Sequence, residues 1–111
     1  MAEPFCYLTT TGRRTGRAHT IEIWFGQDGD APTLYLLSGG GDQADWVRNG
    51  RAAPDVTVRL GTTTHKARFR LVDDADEDAL ARRLLLAKYD DTGELADWGR
   101  RSLAVALDLL A

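Results

Sequence analysis

Apolar and polar residues alternate along most of this chain, and the alternation falls into short segments separated by glycine, proline and aspartate. Period-two alternation places successive side chains on opposite faces of a strand. Phe5–Thr11 and His19–Phe25 read as strands, the second with Ile21, Ile23 and Phe25 on one face. Thr33–Ser38 follows the turn Gln27–Pro32, and the three strands are expected to form an antiparallel meander. Asp55–Leu60 and Thr63–Val72 flank Gly61-Thr62 as a hairpin; in the latter, Lys66, Arg68 and Arg70 alternate with Ala67, Phe69 and Leu71. A basic face opposite an apolar one is the mark of a half-buried strand.

Two segments follow helical spacing instead. Asp42 is a suitable N-cap for a short helix over Gln43–Ala52, which Pro54 stops. Glu77–Tyr89 carries Leu80, Leu84 and Leu85 on one face. The acidic run Asp73–Asp78 ahead of it suits a helix N-terminus through the dipole and is assigned no chemistry. Ser102–Leu110 suits either element, but Leu103, Val105, Leu107 and Leu109 alternate throughout and favour a final strand. The expected architecture is α+β: a small β-barrel of about six mainly antiparallel strands, a short crossover helix and one longer helix. Ile21, Ile23, Phe25, Leu34, Leu36, Val56, Val58, Phe69 and Leu71 are its interior candidates.

Length and composition narrow the function classes. With 111 residues the chain carries one core, so residues 1–111 read as a single domain. No apolar run is long enough to span a membrane, and Met1-Ala2-Glu3-Pro4 has no basic flank of a secretory signal. The one cysteine, Cys6, has no partner for an internal disulfide, and a reducing cytoplasm is expected. Net charge is −3, unevenly spread. Residues 1–70 hold nine Lys/Arg against seven Asp/Glu, and residues 71–111 five against ten. This is too acidic for a general nucleic-acid binder, yet the first half can hold a small anion.

Three stretches carry candidate chemistry. Gly12-Arg13-Arg14-Thr15-Gly16-Arg17 combines glycines that admit close backbone approach with guanidinium groups suited to phosphate oxygens. Ser38-Gly39-Gly40-Gly41 exposes backbone N–H groups at a strand end, without the lysine of a nucleotide P-loop. Asp45-Trp46-Val47-Arg48-Asn49 places Trp46 and Asn49 on one helix face. Singly, each is more often a solvated turn, a flexible connection or a packing residue. His19 and His65 lack metal-ligand spacing, and no serine sits in a nucleophile elbow, so metalloenzyme and hydrolase chemistry are disfavoured and no metal is expected.

Taken in order, these stretches resemble a known family. Leu8-Thr9-Thr10-Thr11-Gly12-Arg13-Arg14-Thr15-Gly16-Arg17-Ala18-His19, Leu36-Leu37-Ser38-Gly39-Gly40-Gly41, Asp45–Asn49 and Ala53-Pro54-Asp55-Val56-Thr57-Val58 are similar to the deazaflavin-dependent nitroreductases. Those are split β-barrel reductases related in fold to pyridoxamine-phosphate oxidases. The resemblance covers nearly the whole chain, including Lys88-Tyr89, and departs from the pattern at His19, often arginine in relatives, and Val47, often tyrosine.

The resemblance implies an 8-hydroxy-5-deazaflavin coenzyme of the F-420 type. Its phosphate would lie on Arg13, Arg14 and Thr15, with Arg17 and His19 nearby, and its ring beside Trp24, Ser38, Gly39 and Trp46, while Asn49 matches the cofactor-binding asparagine of the family's helix. The implied activity is hydride transfer from the reduced coenzyme to an electrophilic small molecule such as a quinone, enone or nitroaromatic. The cofactor supplies the hydride and the protein supplies orientation. Water, Ser38 or Tyr89 would deliver the accompanying proton. Two other readings stay open: a non-catalytic barrel holding a flavin, haem or lipid, and a reductase using flavin mononucleotide (FMN). Open barrel edges bearing aromatics such as Trp24 or Tyr35 are expected to be covered in a homodimer.

Overall fold

A computed structural model describes residues 3–90 and 93–110; Met1 and Ala2, at the start read above, lie outside them. Seven strands form one antiparallel sheet: β1 (Cys6–Thr11), β2 (Ala18–Ile23), β3 (Gly26–Gln27), β4 (Thr33–Ser38), β5 (Asp55–Leu60), β6 (Thr63–Leu71) and β7 (Leu103–Leu109). Helices α1 (Asp45–Ala52), α2 (Ala75–Tyr89) and α3 (Ala96–Arg101) complete it. The spatial order is β2-β1-β5-β6-β7-β4-β3. β2 and β3 lie at opposite edges, yet only Trp24 and Phe25 separate them in the chain. A two-residue link reaches between edges only if the sheet curls back on itself, and the result is an open, split β-barrel.

Alternation explains what fills it. Leu8, Leu34, Leu36, Val56, Val58, Phe69, Val105 and Leu107 form the interior cluster. Ile21, Ile23 and Leu71 pack against it half-buried, and Phe25 joins it fully. β4 and β7 are buried on both faces, because the opposite face of each meets α2. Tyr35, Leu37, Ala104 and Ala106 pack there with Ala81 and Leu85. Alanines on that face of β7 allow the helix close approach, which accounts for its Leu/Ala alternation. At the barrel mouth α1 inserts Val47 and lies so near Phe69 that a Cβ on Gly50 would fall 2.4 Å from the ring.

Several expectations need correction. The strands number seven where about six were expected, because the segment His19–Phe25 stops at Ile23 and resumes as β3 on the other edge. The first three expected strands therefore form no meander; β4 pairs with β7 and β3. Helix α1 starts at Asp45 after a tight turn at Gly41–Gln43, and Asp42 caps nothing. Helix α2 starts two residues early at Ala75, where the Asp74 carboxylate accepts from the Glu77 N–H at 2.9 Å. Helix α3 was not foreseen. Tyr35 is buried and Trp24 lies against Tyr89 and Trp98, so neither is an uncovered edge aromatic.

One polar clasp ties α2 to the sheet. Arg70 donates to both Glu77 carboxylate oxygens at 2.7 Å and to Asp108 at 2.6 and 3.2 Å. The Tyr35 hydroxyl donates to Glu77 at 2.7 Å, and Thr33 donates to Asp108 at 2.9 Å. Hydrogen bonds from Arg70, then from Tyr35, hold the Glu77 carboxyl down at about 2, while burial pushes the Tyr35 hydroxyl up to about 12.

Candidate functional site

The β1–β2 turn is built by its glycines. Gly12 N–H donates to the Arg17 carbonyl at 2.7 Å, and Gly16, at φ +74°, donates back to Gly12 at 2.8 Å. Gly12 is buried under the His19 ring; a Cβ there would lie 2.7 Å from Nε2. The closed turn leans on α1 and leaves a cleft of about 330 Å3 lined by Gly12, Arg13, Arg14, Thr15, Arg17, His19, Asp45 and Asn49.

Within this cleft the arginines differ. Asn49, 5% exposed, uses its Oδ1 to accept from the Arg13 backbone N–H at 3.2 Å and from Arg13 Nη1 at 2.8 Å. That fixes the amide, so Asn49 turns its NH2 donors away from Arg13. Arg13 Nη2 reaches Asp45 at 3.2 Å. Arg14 and Arg17 make no side-chain ion pair among the described residues, and Thr15 Oγ1 accepts only from Arg17 N–H at 3.3 Å. A surface rich in donors and poor in acceptors fits an anion, and planar guanidinium forks suit phosphate. A larger cavity of about 480 Å3 lies elsewhere, lined partly by Thr9, Asp55, Thr57 and Lys66, where one acid faces one base and no cationic cluster forms.

The other predicted residues gather beyond the glycine loop. Ser38 is buried and donates from Oγ to the Gly41 carbonyl at 2.9 Å, which shapes the loop. Gly39 lies against Trp98, whose Nε1 would stand 2.9 Å from a Cβ at that position. Trp98 meets Trp24 edge-on at 5.6 Å, and Trp24 stacks on Tyr89 at 4.5 Å. A second cleft, of about 380 Å3, is lined by Gly39, Glu94, Asp97, Trp98, Arg101 and Ser102. The Tyr89 hydroxyl accepts from Phe25 N–H at 3.0 Å and faces the Pro4 and Phe25 carbonyls at 2.8 and 3.1 Å. Burial raises its pKa, so it keeps its proton. Burial pushes the Cys6 thiol up to about 12, which excludes it as a ready nucleophile.

Arg13, Arg14, Thr15, Arg17, His19 and Asn49 thus share one cleft; Ser38, Gly39, Trp24 and Tyr89 belong to a second locality that Trp98 joins together. Trp46 stands apart from both, edge-on to Phe69 at 6.2 Å in the barrel mouth. Segment 39–45 runs from the second locality to the first. Sequence reasoning missed Asp45 and Trp98 as lining residues. Asp45 carried a signal, being an acid one turn before Asn49, whereas nothing local marked Trp98.

The topology, with α1 across the mouth and a donor-lined turn beside it, defines a split β-barrel. Residues 1–109 match the family model of the F420H(2)-dependent quinone reductases, and the chain belongs to that family. Solved structures share the fold. An F420-H2 dependent reductase, FDR-A, superposes with a TM-score of 0.75 at 16% identity, covering 94% of this chain and 93% of its own. HutZ, the heme storage protein of Vibrio cholerae, gives 0.77 at 14% identity, over 98% of this chain and 83% of that one. A FAD-binding protein of Mesorhizobium loti gives 0.67 at 14% identity, over 99% and 83%.

Proposed function

We propose that this protein binds a deazaflavin coenzyme of the F-420 type and uses it to reduce an electrophilic small molecule such as a quinone, enone or nitroaromatic. The observation that carries this reading is the cleft at the β1–β2 turn, where Arg14 and Arg17 face solvent without ion-pair partners among the described residues. Its donor chemistry fits the coenzyme phosphate. When bound, the coenzyme supplies a hydride. Arg13, Arg14, Arg17 and Thr15 would hold the phosphate, with Arg13 fixed in place by the Oδ1 of Asn49. His19 adds a ring nitrogen at the cleft edge. The ring would extend along segment 39–45 towards Ser38, Gly39 and Trp98.

Within this reading Tyr89 has a positioning part: its hydroxyl is spent on the Phe25 and Pro4 backbone, and its ring backs Trp24. Water then delivers the proton to the acceptor, since the buried Ser38 hydroxyl spends its own proton on the Gly41 carbonyl. FMN is the competing cofactor, since a phosphate cleft suits either. Titrating the purified protein with the deazaflavin coenzyme, FMN and FAD decides between them. Tight binding of the deazaflavin with turnover of a quinone supports the proposal. Preference for FMN, or tight binding without turnover, overturns it.

We also propose a homodimer through the outer face of β1, β5 and β6, which is exposed where α2 covers β4 and β7. Rows of paired residues cross this face, Glu22–Tyr7–Arg59 and Thr20–Thr9–Thr57–Lys66. Acids and bases lie side by side on it, so a twofold axis can match each with its opposite. Sedimentation should give twice the 12.2 kDa chain mass, with Arg59→Glu shifting it to the monomer; a wild-type monomer at micromolar concentration overturns this.

A further inference from the structure

Among the described residues, Asp45 is the one acid lining an otherwise donor-rich cleft. It stands in the first turn of α1, where a carboxylate usually serves the helix. Here it does not cap: the N-cap is Ala44, with no side-chain cap hydrogen bond. Its contact among the described residues is Arg13 Nη2 at 3.2 Å. The Asp45 side chain is 85% exposed, while Asn49, which holds the same guanidinium from within, is buried. Asn49 is therefore the fixed partner of Arg13 and Asp45 the displaceable one. Among the described residues, the charged or titratable groups facing the cleft are Arg13, Arg14, Arg17, His19 and Asp45.

We infer that Asp45 sets the charge selectivity of the cleft, tilting it from doubly charged phosphomonoesters towards singly charged phosphodiesters. The inference rests on the anion-site reading above and deepens it. Repulsion between the Asp45 carboxylate and a bound anion grows in proportion to the anion's charge. A phosphomonoester carries nearly two charges above its second pKa of about 6, and a diester carries one. Asp45 therefore penalises the monoester twice as much in free energy, which is the square of the factor in affinity.

The test titrates 15N-labelled protein at pH 8 with methyl phosphate and with dimethyl phosphate, following the amide signals of residues 12–19. Asp45→Asn is compared with wild type and with an Arg14→Ala/Arg17→Ala double variant. Removing the charge should tighten dimethyl phosphate about threefold and methyl phosphate about tenfold. If Asp45 merely braces Arg13, the variant binds both probes equally well or more weakly than wild type, and the inference falls. An equal gain for both probes also overturns it. The double variant separates the two readings. Loss of both probes there keeps the anion site standing whatever Asp45 does. Unchanged binding, or no binding by wild type up to tens of millimolar, removes the site and the selectivity with it.

Discussion

Arg70 and the arginines of the β1–β2 turn are the same side chain in two settings. Arg70 meets two carboxylates in four hydrogen bonds, and those carboxylates also accept from Tyr35 and Thr33. Every element it joins, α2, β4, β6 and β7, is held by that contact. Arg14 and Arg17 meet no acid among the described residues, and Arg13 is held by a buried neutral amide on one side and an exposed carboxylate on the other. A guanidinium whose donors are satisfied within the fold is part of the scaffold. One kept unsatisfied on a glycine-built turn remains available to something outside it. The first setting should govern stability and the second binding.

The sharpest way to break this comparison is to remove the unsatisfied pair. Arg14→Ala/Arg17→Ala should weaken the deazaflavin coenzyme by about 3 kcal/mol or more, roughly 100-fold, since hydrogen bonds to charged groups contribute about 1.5–3 kcal/mol each. Calorimetric titration measures it. The urea midpoint should move little, as exposed unpaired charges seldom exceed about 0.5 kcal/mol. A large loss of stability with unchanged affinity would reverse the assignment.

Arg70→Met probes the other setting. It leaves Glu77 and Asp108 facing each other without their cation, and should cost about 2 kcal/mol in urea unfolding. That is below the 3–5 kcal/mol of a fully buried broken pair, because these groups are partly solvated. Coenzyme affinity should stay within about twofold of wild type. Acid unfolding sharpens the same point. Arg70 depresses both carboxyls, Glu77 to about 2 and Asp108 below its usual value. Each group's folded value lies below its unfolded one, so its stabilisation is complete above about pH 4.5 and lost as pH falls towards 2. Melting curves of wild type should drop most steeply in that window, and Arg70→Met should flatten the drop.

The comparison also shows what was legible from sequence. Strands β4 and β5 were read to the residue, because turn residues bound each of them on both sides. The passage from β2 to β3 was not. Trp24 and Phe25 continue the apolar pattern while the backbone crosses to the opposite edge, and periodicity carries no information about pairing partners. Helix α3, at six residues, is too short to show a helical period; its only trace was Asp97 three and four places before Arg100 and Arg101, which it pairs with. The arginine turn was legible because glycine and arginine there have few structural uses. That Arg13 would be braced and Arg14 left open was not, since it depends on Asn49, 36 residues away.

Arg13 lies between the two settings, and its partner gives the smallest and most discriminating effect. Asn49→Ala removes one acceptor that serves both the Arg13 backbone N–H and its Nη1. Two donors lose a protein partner, but both lie at the cleft edge where water can replace it, so the cost should stay near 1 kcal/mol in urea unfolding. Freed of Asn49, Arg13 keeps only the exposed Asp45, and its guanidinium becomes mobile. An ordered donor loses less entropy on meeting a phosphate than a mobile one, so coenzyme affinity should fall about threefold to tenfold. A deazaflavin lacking the phosphate tail should bind wild type and Asn49→Ala alike. Asn49→Asp offers the check within the check: it restores an acceptor for Arg13, so stability returns. It also adds negative charge beside the cleft, so affinity for the full coenzyme falls further. If both quantities return together, Arg13 belongs with Arg70 as scaffold, and the binding role rests on Arg14 and Arg17 alone.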